Sequence, residues 1–571
     1  MADQKAIPPF EATPVAEIRL SQARLLETFR STKTKDLEYR RVQLRRLYWG
    51  IKDNTELLLA ALNKDLRKPA FESLLTEVDW CLQDCLHAIK HLSSWAKDEK
   101  YSDVPLQFSL NSARIRKDPI GTVLIIGAYN FPIMLTFGPL VGAIAAGCPA
   151  IIKPSEVSPA TAMVMEKIAR ESLDPDAYVV VNGAVPETTE LLDLKWDKIF
   201  YTGGGTVGTI IATKAAKTLT PVTLELGGKN PAFVTRNANL RLAARRLLWG
   251  KVMNAGQVCI SHNYVICDRS VLSSFIQELE NTHKDFFPEG AKNSPDFARI
   301  VNKRHFQRIK QMIDHSTGKI VLGGDTDEDD LYIEPTAVQV DNVTDSVLVE
   351  ESFGPLFGII PYTSLKEGID IMNEVDRTPL ALFVFGSKKE ETQVLNSCLS
   401  GGASMNDSFF HGSVFTLPFG GVGTSGTGSY RGKASYDTFT HRRSLTNTPS
   451  WMDKLLAVRY MPYNMKQLRQ MQKTNPKPNF DRSGHVVKGG LGYWLKFAMG
   501  LGSAEVKGGE PTQETERVSN TRGGEATRTG DIAGPKNAAI GTAKKASQDA
   551  EDQQPKDPLS RATTAAGGFP S

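Results

Sequence analysis

The sequence predicts an α/β fold: a doubly wound parallel sheet joined to a second α/β region, with a projecting strand element beside them. Three observations predict it. Short apolar runs, GTVLIIG, PAIIKPSE, AYVVVNG and DKIFYTGGG, alternate with helical patterns over Ile133–Gly147, Ala160–Ser172 and Thr206–Lys217. Repeated βα units of this length favour a parallel sheet with helices on both faces and ligands beyond the strands' C-terminal ends. The run Thr202-Gly203-Gly204-Gly205-Thr206-Val207-Gly208 lies between one such strand and its helix. Glycines there can admit a pyrophosphate to the helix N-terminus, although the spacing is not GxGxxG, and a plain tight turn remains the alternative. A second strand–helix alternation then continues past Cys259 to about Gly423.

At 571 residues the chain is too long for one core. Its 40% apolar and 23% charged residues fall in the ordinary globular range, and a net charge of +4 gives no sign of nucleic acid. Six scattered cysteines read as a reduced, intracellular inventory rather than a disulfide framework. Cys81 and Cys85 are four apart, but no second ligand pair accompanies them, so no metal is expected. MADQKAIPPFEATP lacks the features of a signal or transit peptide, and no apolar run reaches the length of a spanning helix. An intracellular protein is expected.

In chain order, residues 1–14 read as a flexible arm. Ile18, Leu25, Leu26 and Phe29 begin a helical region that runs to about Asp98, through Leu44–Leu62 and Leu74–Trp95. QFSLNSARIRKDP alternates like an exposed pair of strands near 105–118, and such projections often join subunits. The βα units follow from Gly121. Lys153 and Glu156, in IIKPSE, leave the second strand at the sheet edge where ribose hydroxyls could be held; solvated surface charge is the simpler reading of such a pair.

Pro221–Ile260 is the centre of the chain. In PVTLELGGKNPAFV a strand ends near Glu225 and turns on two glycines. In GKVMNAGQVCI a small-residue loop, Asn254-Ala255-Gly256, precedes Cys259. A thiol and a carboxylate at element ends suggest a covalent catalyst with a partner that activates water. Taken singly, such a cysteine is more often a buried small hydrophobe and such a glutamate faces solvent.

The phrases together are more specific. DPIGTVLIIGAYNFP, IIKPSE, FYTGGGTVG, LELGGKNP, NAGQVCI, EESFGPLFG and LPFGGVGTSGTGSYRGK resemble, in order and spacing, those of the aldehyde dehydrogenase superfamily, over about 15–470. The NxGQxC phrase, PLALFVFG and GSYRGKASYDTFTHRRS resemble the class 3 branch of fatty and long-chain aldehyde dehydrogenases, whose fungal members act on long-chain or apocarotenoid aldehydes. The resemblance implies an NAD(P)-binding domain over 15–227, a catalytic domain over 228–428 and an oligomerisation segment over 429–447 in a homodimer. It makes Cys259 the nucleophile, Glu225 the general base and Asn130 a donor to the oxyanion. Gly203 and Gly208 match the phosphate glycines, Lys153 and Glu156 the adenosine-ribose contacts, and Glu351 and Phe353 the nicotinamide ribose and ring. NAD or NADP is implied, with NAD favoured. Gly204-Gly205 departs from a more polar pair, and Ala255 stands where cysteine is frequent. The implied reaction oxidises a hydrophobic aldehyde to its carboxylate. A non-catalytic scaffold on the same fold and a CoA-acylating semialdehyde dehydrogenase are the alternatives.

Past the family phrases, 448–503 is a basic extension holding an apolar island, LGYWLKFAMGLG (Leu491–Gly502), which suits the cytoplasmic side of an organelle membrane or another anionic lipid surface; packing on the enzyme body, or on the other subunit as a lid, is the alternative. Residues 504–571, with Phe569 as the only aromatic, are expected to be disordered.

Overall fold

A computed structural model describes residues 6–454, 456–472 and 478–486. The apolar island, the tail and Lys473, Lys477, Lys488 and Lys496 of the basic stretch lie outside the described residues. Contacts divide the chain after Tyr463. In the second unit the described residues form a helix, Met465–Gln472, and a bridge between Phe480 and Val486.

The first unit begins with helices Val15–Arg30, Leu37–Asp53 and Thr55–Leu66, as the periodicity predicts. Asp36 caps the second by accepting from the Tyr39 N–H at 2.7 Å, and Leu44, Leu47 and Ile51 line its buried face. A continuous helical run then extends from Ala70 to Ala96, interrupted by a π-helical turn at Leu74–Val78. These helices pack on Met134–Ala146, which is buried on every side and accordingly apolar all round. That helix ends at Gly147 (φ +91°), whose N–H and that of Cys148 both donate to the Ala143 carbonyl.

Two parallel sheets position the site. The first has six strands, ordered Gly426–Thr427, Val222–Glu225, Lys198–Thr202, Val123–Ile126, Ala150–Lys153 and Tyr178–Val180. Only the Gly426–Thr427 edge is antiparallel. The chain starts at Val123–Ile126, winds outward to Tyr178–Val180, then returns to Lys198–Thr202 on the other side. Loops after Ile126 and Thr202 therefore diverge, opening the crevice in which doubly wound sheets bind ligands. The second sheet has seven strands, parallel except for Lys319–Leu322 at one edge. Its inner strands, such as Leu356–Tyr362 and Ala381–Phe385, are buried along their whole length, which explains their unbroken apolar sequence.

The strand pair expected near 105–118 is corrected. Leu106–Asn111 forms 3-10 turns, and Ser112 adopts φ +46° before one strand, Arg114–Pro119. That strand's main partner is Thr440–Leu445, with Glu99–Lys100 on its other edge. Local alternation signals a strand but not its partner, and here the partner arrives from the far end of the unit.

Candidate active site

Cys259 follows a loop held by its own polar groups. Asn254, Ala255 and Gly256 have φ of 51°, 51° and 71°, a left-handed run in which the first two are not glycine. Such strain persists only where surroundings hold it. The Asn254 N–H donates to Glu72 Oε2 at 2.9 Å, and its side-chain amide donates to the Asn130 carbonyl at 2.9 Å. Gln257 donates to the Arg299 carbonyl at 3.0 Å and accepts from the Val301 N–H at 3.0 Å. A Cβ on Gly256 would lie 2.1 Å from the Gly354 carbonyl oxygen, so glycine is required there by both shape and φ.

The Cys259 carbonyl accepts from Asn230 Nδ2 at 2.7 Å, and the same amide donates to Ser261 at 2.9 Å. Asn230 Oδ1 accepts from the Ala381 N–H at 2.8 Å, which ties the cysteine to the second sheet. Sequence reading placed Asn254 in the loop before Cys259 but gave Asn230, Asn254 and Gln257 no anchoring role; Asn230 is 29 residues away in the chain, so its part shows only in the fold.

Glu225 ends the strand Val222–Glu225 and is 2% exposed, with neither carboxylate oxygen hydrogen-bonded. Burial holds its carboxyl well above the ordinary carboxylate range. Burial also pushes the Cys259 thiol up to about 12, with the Glu351 and then the Glu225 carboxylate adding to the rise. Asn130 leaves the strand Val123–Ile126 and donates one amide hydrogen to the Gln257 carbonyl at 3.0 Å. A primary amide has a second hydrogen, so Asn130 keeps a donor for a ligand. The structure brings Asn130 and the Cys259 loop together, and the charges of Glu225 and Glu351 act on the thiol.

Cys259 lines a cavity of about 310 Å³. Trp80, Phe131, Met134, Trp249, Phe409 and Phe419 give it apolar walls. Arg431 is the cation in its lining, buried, stacked over Trp80 at 4.7 Å and 3.7 Å from Asp84.

At the other sequence-predicted positions, Lys153 pairs with Glu156 at 2.6 Å, just beyond the strand Ala150–Lys153. Gly203 and Gly208 are closely packed: a Cβ would lie 2.2 Å from Tyr201 Oη at the first and 2.9 Å from Leu226 Cδ2 at the second. Gly204 and Gly205, within the glycine run that sequence reading offered for a pyrophosphate, face open space at the start of helix Gly205–Lys217. Free helix-terminal N–H groups with room before them fit a phosphate. Glu351 is pushed up to about 7 by burial and presses on Gly227, where a Cβ would lie 2.2 Å from its carboxylate. Arg308 holds the Glu351 and Ser352 carbonyls at 2.9 and 2.6 Å. Phe353, at φ +44°, sets its ring edge-on to Tyr129 at 6.0 Å. These residues fit a dinucleotide laid across the crevice.

Among the described residues no cluster of His, Cys, Asp and Glu fits a metal ion. The description of the aldehyde dehydrogenase family matches residues 2–445. The chain belongs to the aldehyde dehydrogenase family. It is 58% identical over 509 residues to a beta-apo-4'-carotenal oxygenase of Neurospora crassa, covering 89% of this chain and 95% of that one. It is 42% identical over 447 residues to the family 3 member B1 aldehyde dehydrogenase of Bos taurus, covering 78% and 95%. A Staphylococcus aureus AldH, solved in a substrate-bound state, superimposes with a TM-score of 0.77 at 38% identity, covering 80% of this chain and 99% of that one. This aldehyde dehydrogenase is thus an oxidoreductase of the class 3, fungal type.

Proposed function

We propose that this aldehyde dehydrogenase oxidises a long-chain or otherwise hydrophobic aldehyde to its carboxylate, with NAD(P) as cofactor, through Cys259. The observation that carries the reading is a partly exposed cysteine opening onto an apolar cavity of about 310 Å³. A polar aldehyde would lose its hydration there without replacement, whereas an alkyl or polyene chain gains about 0.8 kcal/mol per buried methylene. The Neurospora crassa relative named for an apocarotenal supports the same substrate class.

Cys259, once deprotonated, adds to the aldehyde carbonyl. The spare Asn130 amide hydrogen and the Cys259 N–H meet the developing oxyanion, an effect typically worth ~3 kcal/mol per donor. When bound, the oxidised nicotinamide supplies the hydride acceptor. Glu225 then takes a proton from water, which hydrolyses the thioester on Cys259 to the acid and frees the thiol. Lys153, Glu156, Glu351, Phe353 and the turn Gly203–Gly208 would hold the cofactor. NAD is the preferred form in this reading, because the Glu156 carboxylate would repel a 2′-phosphate, although Lys153 beside it softens that preference.

The enzyme acts as a homodimer, a reading that a relative from dog named as dimeric supports. It works at an anionic membrane surface inside the cell, a reading supported by the basic run before the apolar island. The domain limits expected from sequence, 15–227 and 228–428, are kept as those of the cofactor and catalytic domains. The test is a steady-state series from short alkanals to long alkanals and polyene aldehydes, with each cofactor. Rising kcat/KM with chain length and a higher value with NAD are expected. A preference for short polar aldehydes would sink the substrate reading.

A further inference from the structure

Both sides of the candidate oxyanion site lean on one short stretch of helix. The Glu77 carboxylate accepts from the Ile133 N–H at 2.9 Å, three residues after Asn130. Its other oxygen takes the Lys68 ammonium at 2.6 Å, and both side chains are wholly buried. Lys68 Nζ also lies 3.8 Å from the centre of the Phe131 ring, so the pair grips the Asn130 loop at two points. Five residues before Glu77, Glu72 accepts from the Asn254 N–H at 2.9 Å and thereby holds the left-handed loop that leads to Cys259.

On a regular α-helix, residues five apart diverge by about 140° and could not both face one site. The π-helical turn Leu74–Val78 contains Glu77 and begins two residues after Glu72, and i→i+5 closure returns residues five apart toward one face. Thr76, within the same turn, lines the substrate cavity. Proteins place such turns at functional sites more often than elsewhere.

We propose that this π-helical turn is a positioning element for the oxyanion site, with Glu77 (backed by Lys68) setting the Asn130 loop and Glu72 setting the Cys259 loop. The proposal rests on Asn130 and the Cys259 N–H being the oxyanion donors. Neither carboxylate touches substrate; each acts through the backbone N–H it holds. Acylation and deacylation both pass through a tetrahedral oxyanion, so loss of this brace slows both steps together. Loss of the water-activating base would slow only the second.

The experiment is stopped-flow measurement of the NADH burst and the following steady state, with decanal, on the full chain. Lys68→Met/Glu77→Leu removes the acceptor for Ile133 without leaving a buried charge, and both phases are expected to fall at least tenfold. Lys68→Met/Glu77→Gln keeps an acceptor carbonyl and is expected to stay within threefold of wild type. Glu72→Ala and Glu72→Gln should repeat that contrast. Asn130→Ala is the reference and should slow both phases on the order of a hundredfold. If Asn130→Ala leaves both phases intact, the oxyanion assignment fails and takes the brace with it. If Asn130→Ala slows them but the leucine variant matches the glutamine variant, only the brace fails. A reduced burst amplitude at normal rates, or a raised KM at normal kcat, would mark a merely structural role and overturn the proposal.

Discussion

Two side chains carry most of the proposed chemistry, and burial disfavours the charged form of both. Burial and two neighbouring carboxylates push Cys259 up to about 12, and burial alone raises Glu225. Both shifts run the same way, so each group gains its working charged form only as pH rises. The burst rate and the steady-state rate should each increase from pH 6.5 to 9, and a rate falling across that range would contradict both assignments. Cys259→Ser should abolish dehydrogenase activity while cofactor binding and far-UV dichroism persist, since a serine hydroxyl ionises far less readily than a thiol. Retention of most of the wild-type rate would remove Cys259 as nucleophile. Glu225→Gln keeps the shape of the side chain but cannot take a proton from water. A stoichiometric burst followed by a slow, pH-independent steady state is expected, and equal slowing of both phases would rule against Glu225 as hydrolytic base.

Among the elements, Met134–Ala146 shows how closely the parts of this enzyme fit. A Cβ on Gly142 would lie 2.8 Å from both the Ser435 Cβ and its carbonyl oxygen, on the helix Gly432–Thr438. Gly142→Val should cost about 1–3 kcal/mol through overpacking, read as a lower guanidinium midpoint. The burst rate of the folded fraction should stay normal, because Gly142 does not line the substrate cavity. An unchanged midpoint would show that the two helices can part without cost. Legibility was uneven at this scale. The Met134–Ala146 helix and the strands around it could be read from apolar runs because burial on all sides leaves only apolar or small residues acceptable. The turns at Leu106–Asn111 and the π-helical turn could not, since their sequences suit more than one local conformation and packing selects among them.

For the whole molecule, the question is where the enzyme would meet the hydrophobic substrate proposed for it. No helix among the described residues is long and apolar enough to cross a membrane. Arg459, Lys466, Arg469 and Arg482 are charges of the described basic stretch, leading toward the apolar island at Leu491–Gly502. Each such charge near an anionic surface contributes on the order of 1 kcal/mol, and salt screens it. The full chain should float with phosphatidylserine vesicles at low salt and less so at high salt, while a chain ending near Arg482 should not float. Equal behaviour of the two chains would refute membrane docking. A truncation that altered only long-chain turnover would instead make the island a lid.

The sequence by itself determined the α/β class and the order of the βα units, and it pointed to Cys259, Glu225 and Asn130 as the candidate site residues. Those features depend on local periodicity and on phrases of adjacent residues, which a linear chain displays directly. Only the tertiary structure decided what holds them. Asn230 reaches Cys259 from 29 residues earlier, Glu72 and Glu77 arrive from a helix far earlier in the chain, and the apolar cavity assembles from five separate stretches. Gly203 and Gly208 are closely packed against Tyr201 and Leu226, while open space lies between them at Gly204 and Gly205. Such contacts join residues with no neighbourhood in sequence, and the same side chains would serve as ordinary surface or core in another arrangement. Their function exists only once the chain has closed around the crevice.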